Sequence, residues 1–209
     1  MQTAIPKQFL LLNGRPVLMH TMGAFHNSDA HPGLIVVLPA DYHSYWEQLC
    51  KKHDFYIPHQ LVAGGETRFH SVKNGLDTII DDTDTLIAVH DAVRPLASKQ
   101  IIDESYLQAA KYGNAVTAVK SRDSVRQLKG EASISLIRDE IYLIQTPQTF
   151  WLSQLKKAYQ QPYQNSFTDD ASVVEQTGAP INLIQGSYQN IKITFPEDIA
   201  VAETILNSR

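Results

Sequence analysis

The chain has 209 residues, 43% hydrophobic and 19% charged, with 18 Lys+Arg against 22 Asp+Glu and a formal net charge of −4. That length suffices for one hydrophobic core without covalent staples; the lone Cys50 excludes a disulfide scaffold and suits a reducing compartment; and the negative balance argues against a broad nucleic-acid surface. No apolar run approaches the roughly 20 residues that span a bilayer, and the opening residues lack a signal-peptide pattern, so the expectation is a cytoplasmic protein with no membrane or nucleic-acid partner.

Pro16 opens a helix carrying Val17, Leu18, Thr21, Met22 and Phe25 on one face. Leu34–Leu38 reads as a buried strand stopped by Pro39, and Asp41–Lys52 and Arg68–Ile80 read as helices. Leu86–Val89, Ala115–Val119 and Ile181–Ile184 are further strands, with helices at Ser98–Tyr112 and Pro196–Asn207. Residues 121–145 break this alternation. Two alternating stretches flank Lys129-Gly130-Glu131, the pattern of a β-hairpin with too few apolar residues for a core element. Continuous apolar strands between helices predict an α/β fold with a mostly parallel sheet and a projecting hairpin arm. With no repeat or linker in view, residues 1–209 read as one domain.

The segments with chemical potential are weak one at a time. Gly64-Gly65-Glu66-Thr67-Arg68 through Ser71 stands where a strand gives way to a helix, a place where backbone approaches anions, although a plain turn explains it as well. His90-Asp91-Ala92-Val93-Arg94-Pro95 follows a strand, where open α/β sheets bind ligands. Asp91 there suits a magnesium ion beside phosphate oxygens, and Arg94 an anion, while an Asp–Arg pair ordering the loop is the plainer account. Thr146 of Gln145-Thr146-Pro147-Gln148 offers a hydroxyl, or merely stops a loop. Thr168-Asp169-Asp170-Ala171-Ser172 reads as a helix start capped by Thr168. Lys192, between Ile191 and Ile193, faces either solvent from an edge strand or an anion. The eight histidines offer no ligand-spaced pairing with the single Cys, and Walker, Gly-x-Ser-x-Gly and Gly-x-Gly-x-x-Gly signatures are absent.

Taken in order, these segments are specific. Pro6-Lys7-Gln8-Phe9, Gly14-Arg15-Pro16-Val17-Leu18, the Gly64–Ser71 and His90–Pro95 segments, Gln145–Gln148, Thr168–Ser172 and Asn190-Ile191-Lys192-Ile193-Thr194 together resemble the 2-C-methyl-D-erythritol 4-phosphate cytidylyltransferase family from Pro6 to about Ala202. The resemblance implies a Rossmann-like nucleotidyltransferase, a homodimer whose 121–145 arm reaches the partner's site, and magnesium as cofactor. It implies transfer of a cytidylyl group from CTP to methylerythritol phosphate, releasing pyrophosphate, in non-mevalonate isoprenoid biosynthesis. Matching positions give Lys7 and Lys192 to the triphosphate and transition state, and Gly65, Glu66 and Ser71 to cytidine with Arg68 supporting their loop. Asp91 falls to magnesium or substrate hydroxyls, Arg94 to the acceptor phosphate, and Thr146 and Thr168 to further substrate contacts. From the arm, Arg138 is the candidate phosphate ligand in trans, and Ser124 is a substrate position where the family usually has Thr. The family opens with an apolar strand and an Ala-Ala-Gly-x-Gly-x-Arg-Met loop that supplies a catalytic Arg, and Met1 aligns with the end of that loop. The resemblance therefore implies that strand, loop and Arg are missing here, through a late start or trimming, and that turnover is impaired. A ribitol 5-phosphate cytidylyltransferase and a catalytically inactive dimeric nucleotide-binding homologue are the alternatives.

Overall fold

The computed structural model describes residues 5–80 and 85–208, so the expectation placed on Met1 lies outside the described residues. A 3-10 turn at Lys7–Phe9 leads into a short antiparallel pair, β1 (Leu11–Leu12) and β2 (Arg15–Pro16). Their connection needs positive φ, 46° at Asn13 and 78° at Gly14, conformations these two residue types tolerate. Pro16 then caps α1 (Val17–His26), which buries the expected face of Val17, Leu18, Thr21, Met22 and Phe25. β3 (Ile35–Leu38) stops at Pro39, and α2 (His43–Lys52) follows a 3-10 turn at Ala40–Tyr42. β4 (Gln60–Ala63), the strand expected without bounds before the Gly64 turn, pairs parallel to β3.

α3 (Arg68–Asp77), β5 (Leu86–Val89), α4 (Lys99–Tyr112) and β6 (Asn114–Lys120) fall near their expected bounds. Ser98 caps α4 by accepting from the Ile101 N–H, and Gly113 ends it at a φ of 96°. The hairpin is present as β7 (Arg126–Lys129) and β8 (Ala132–Ser135), turning at Gly130, and every residue of both strands is exposed. Next come β9 (Tyr142–Trp151), α5 (Leu152–Ala158), α6 (Asp170–Glu175), β10 (Leu183–Gln185) and α7 (Glu197–Asn207).

The larger sheet has the order β10-β6-β9-β5. β10 runs parallel to β6, while β9 runs antiparallel to both β6 and β5. The architecture is α/β as expected; its parallel elements are joined by one long antiparallel strand, so the sheet is mixed. β3 and β4 form a separate parallel pair. Gly64 donates its N–H to the Leu38 carbonyl and Gln60 to the Leu34 carbonyl, so the peptide groups of Ile35 and Val37 point away from β4. Leu152 donates to the Thr85 carbonyl, so those of Leu86 and Ala88 point away from β9. β3 and β5 line one cavity of about 350 Å³ together with Met22 and Phe25 of α1 and Val72 and Leu76 of α3. Among the described residues no strand pairs with either of these edges.

Candidate active site

β5 delivers His90–Pro95 to the sheet's edge, and the turn is drawn tight by the Arg94 N–H donating to the Asp91 carbonyl at 3.0 Å. Asp91 Oδ2 lies 3.1 Å from Arg94 Nε and 3.1 Å from Lys192 Nζ. Both sequence readings of this pair are therefore present at once: the carboxylate orders the loop and also gathers a second cation. Burial by itself would raise the Asp91 carboxyl, but Lys192 and Arg94 outweigh it and hold it below the ordinary value. The Asp91 and Arg94 side chains are 14% and 11% exposed, whereas Lys192 is 48% exposed and can swing toward a ligand. Two cations against one carboxylate leave a net positive charge facing solvent, the polarity that a phosphate requires.

The segment carrying Lys192 is not the apolar strand expected from Ile191 and Ile193. Ile193 makes one backbone bond, donating to the Val93 carbonyl, and sinks its side chain into a cluster with Leu12, Val17 and Leu96. The Asp198 carboxylate then accepts from the Thr194 and Phe195 N–H groups at 2.7 and 2.8 Å, which turns the chain into α7 before a ladder can form.

Thr146 is 4% exposed, and its hydroxyl is already engaged. It accepts from the Asp91 N–H at 3.0 Å and lies 3.0 Å from His90 Nδ1. The Thr146 carbonyl accepts from Asn190 Nδ2 at 2.9 Å, and the Asn190 carbonyl accepts from Arg94 Nη1 at 2.8 Å. Gln145–Phe150 is thus no loop stop but the middle of a ten-residue strand, with a cis peptide bond before Pro147.

β4 ends at Ala63, and Gly64–Thr67 turns the chain into α3. Gly65 donates to Ser71 Oγ at 3.0 Å, and Ser71 in turn donates to the Thr67 carbonyl at 2.9 Å. A side chain on Gly65 would place its Cβ 2.5 Å from His70 Cβ, so only glycine fits. Arg68, at the start of α3, binds both oxygens of Asp170, which also accepts from the Tyr159 hydroxyl at 2.6 Å. Burial would lower the Arg68 pKa, but Asp170 raises it well beyond the ordinary value. Arg68, Ser71, His90 and Asp91 line the same cavity, which brings the glycine turn and the charged cluster to one place.

Other expected residues stand apart. Thr168 is exposed and does not cap α6; the cap is Asp169, which accepts from the Ser172 N–H at 2.9 Å in a reciprocal capping box. Asp169 wins because its carboxylate is one residue nearer the first helical N–H groups and carries charge toward the positive helix end. Lys7 and Glu66 are exposed, as are Ser124 and Arg138 on the hairpin, and within the chain no described contact joins any of the four to Asp91, Arg94 or Lys192. Sequence reasoning missed His90, Asn190 and Asp170 as parts of the site. Their signal was adjacency to the singled-out residues, since each lies in a segment already marked.

The 2-C-methyl-D-erythritol 4-phosphate cytidylyltransferase family model, IspD, matches residues 1–208. The chain belongs to this family. Family members of that name from Bacteroides fragilis and Porphyromonas gingivalis are 43% and 45% identical to it; the matches cover 99% and 97% of this chain and 93% and 90% of those proteins. The crystal structure of 4-diphosphocytidyl-2C-methyl-D-erythritol synthase from Anaerococcus prevotii superposes with a TM-score of 0.83 at 28% identity, covering 94% of this chain and 88% of that one. The family's structure from Francisella tularensis gives 0.79 at 33% identity, over 96% and 93%. As a cytidylyltransferase family member the chain is read as an enzyme, and among the described residues no helix is long and apolar enough to cross a membrane.

Proposed function

We propose that the chain transfers the cytidylyl group of CTP to 2-C-methyl-D-erythritol 4-phosphate, releasing pyrophosphate. The observation that carries this reading is the convergence of Arg94 and Lys192 on Asp91 beside the glycine turn before α3. A phosphate oxygen of the acceptor attacks the α-phosphorus in line, the bond to the bridging oxygen breaks, and pyrophosphate leaves with its electron pair. Such a step needs two anions held together and charge stabilised on the transferring phosphoryl group, with no protein nucleophile. In this reading Arg94 holds the acceptor phosphate. Lys192 and Lys7 neutralise the triphosphate, and Gly65, Glu66 and Ser71 receive the cytidine. Arg68 braces that turn through Asp170 rather than touching substrate. The Thr146 hydroxyl, committed to the Asp91 N–H, acts through Asp91, and Thr168, exposed just before α6, is left to meet substrate.

Magnesium fits at Asp91. Its Oδ1 has no protein partner among the described residues, and magnesium is commonly held by one or two carboxylates together with substrate phosphates. No group of three or more His, Cys, Asp or Glu able to hold a metal occurs among the described residues, so the ion would arrive with the triphosphate. When bound it would neutralise triphosphate charge. The exposed hairpin serves as the arm of a homodimer in a single-domain chain, with Ser124 and Arg138 reaching the partner's site, and the enzyme works in the cytoplasm.

Pyrophosphate release from CTP and methylerythritol phosphate tests this reading. Arg94→Ala is expected to raise KM for the acceptor phosphate at least tenfold. Lys192→Ala is expected to lower kcat by 10²–10³, the size of effect seen when one transition-state donor is removed. Equal activity of either variant with the unmodified chain would overturn the assignment.

A further inference from the structure

His90 is the imidazole beside the charged cluster, and both of its nitrogens are spoken for. Nε2 lies 3.0 Å from the Arg94 carbonyl oxygen, which can only accept, so Nε2 carries the proton. Nδ1 lies 3.0 Å from Thr146 Oγ1. That hydroxyl already accepts from the Asp91 N–H, so its own proton is free to be donated to Nδ1. The directions of all three bonds follow: Asp91 N–H to Thr146, Thr146 O–H to His90, His90 Nε2–H to Arg94. The ring itself stands edge-on to Phe25, 4.9 Å between centroids, which fixes its plane. A second path closes the frame, because Asn190 donates to the Thr146 carbonyl and accepts from the Arg94 guanidinium. An Nδ1 that accepts from Thr146 and an Nε2 that donates to Arg94 together require the neutral ring.

We infer that His90 is a positioning residue: by bridging the Thr146 hydroxyl to the Arg94 carbonyl it fixes Asp91 and Arg94, the charged residues next to it and four places beyond it, in the geometry that receives the acceptor phosphate. The inference rests on the proposed function for what Asp91 and Arg94 do. The bonds are directional and serial, so loss of any link loosens the whole path, leaving Asp91 and Arg94 held by each other, by Lys192 and by Asn190. The cytidine side, built on the Gly65–Ser71 turn, shares no hydrogen bond with this chain of donors.

Kinetics of His90→Phe, Thr146→Val and Thr146→Ser test it. His90→Phe keeps an aromatic ring against Phe25 and removes both hydrogen bonds. It is expected to raise KM for the acceptor phosphate about tenfold or more and KM for CTP by clearly less, because Arg94 serves the acceptor alone while Asp91 touches the triphosphate only through magnesium and Lys192. Thr146→Val should do the same, Thr146→Ser should retain at least five times the kcat/KM of Thr146→Val, and His90→Phe/Thr146→Val should be no worse than the weaker single variant, because one chain is cut twice. Equal losses toward CTP and acceptor, additive effects in the double variant, or equal rates for the two Thr146 variants would overturn the inference. Should His90→Phe not fold, as judged by circular dichroism, the two Thr146 variants decide alone. The nitrogen-15 spectrum of the His90 ring separates this inference from the functional reading. An Nε2–H tautomer at pH 7 that becomes mixed in Thr146→Val supports the frame even if the wild-type chain releases no pyrophosphate, and an Nδ1–H tautomer sinks it.

Discussion

His20 shows how a single side chain ties stability to pH. Its Nε2 is 2.7 Å from the Leu12 carbonyl, so the ring donates there and links α1 to β1. Burial is the largest influence on it and lowers its pKa; the Leu12 bond works in the other direction and nearby Arg15 adds to the lowering. Below an ordinary imidazole value of about 6.5 the unfolded chain therefore takes up protons that the folded chain refuses, and folding stability falls as pH drops. His90, lowered to about 4 by burial, and Asp91, held low by its two cations, act in the same sense at lower pH. His20→Gln keeps a donor toward Leu12 without a titrating ring. The difference between urea midpoints measured at pH 7 and pH 5.5 is expected to be smaller in His20→Gln than in the unmodified chain. An unchanged difference would remove His20 from the account.

Between elements, the Arg68–Asp170–Tyr159 group joins the start of α3 to the start of α6 and to the end of α5. Asp170 is fully buried, while the Arg68 side chain is 38% exposed. Breaking a fully buried ion pair costs about 3–5 kcal/mol, but Arg68 can recover water once its partner is neutral. Asp170→Asn is therefore expected to lose about 2 kcal/mol in chemical denaturation and to weaken CTP binding through the loosened Gly65–Ser71 turn. This linkage was not legible in the sequence, where Asp170 looked like one of two acids at a helix start. The strands that apolar runs revealed, β3, β5, β6 and β10, are built mainly from Ile, Val, Leu and Ala. β9 escaped because four of its six buried positions are Gln145, Thr146, Gln148 and Thr149, polar groups acceptable in a core only because each has a partner across the fold. β4, as long as β3 and β5, was marked only by the turn that follows it, because its apolar run is just Leu61 to Ala63 after the polar Gln60, and Lys192 was placed on a strand because local apolar flanks do not reveal that Asp198 turns the chain. Order and spacing of the motifs did reveal the family, and with it Asp91, Arg94 and Lys192, since those contacts are made by residues within the motifs themselves.

At the scale of the whole molecule, the sheet is divided, and both strands of the arm are exposed among the described residues. The outward peptide groups of Ile35, Val37, Leu86 and Ala88 lack ladder partners among the described residues. Their amides are expected to exchange with solvent at least about a hundredfold faster than those of Val36 and Leu38, which face β4. Equal protection of the two sets would mean that the gap is closed in solution. The arm poses a different question. Leu128 on β7, Ile137 just after β8 and Leu143 on β9 are large apolar residues 77%, 66% and 51% exposed, the kind of surface that a second protomer covers. If Arg138 completes the partner's site while Lys192 serves its own, the two losses fall in different chains. Arg138→Ala and Lys192→Ala would each be nearly inactive alone. Mixed in equal amounts and allowed to reassort, half of the dimers pair one of each. Every such dimer then has one site lacking both groups and one site lacking neither. Recovery of about a quarter of wild-type activity is expected from that reassortment. An arm that folds back on its own chain would give no recovery at any mixing ratio, because each active site would still lack the residue deleted from its own protomer.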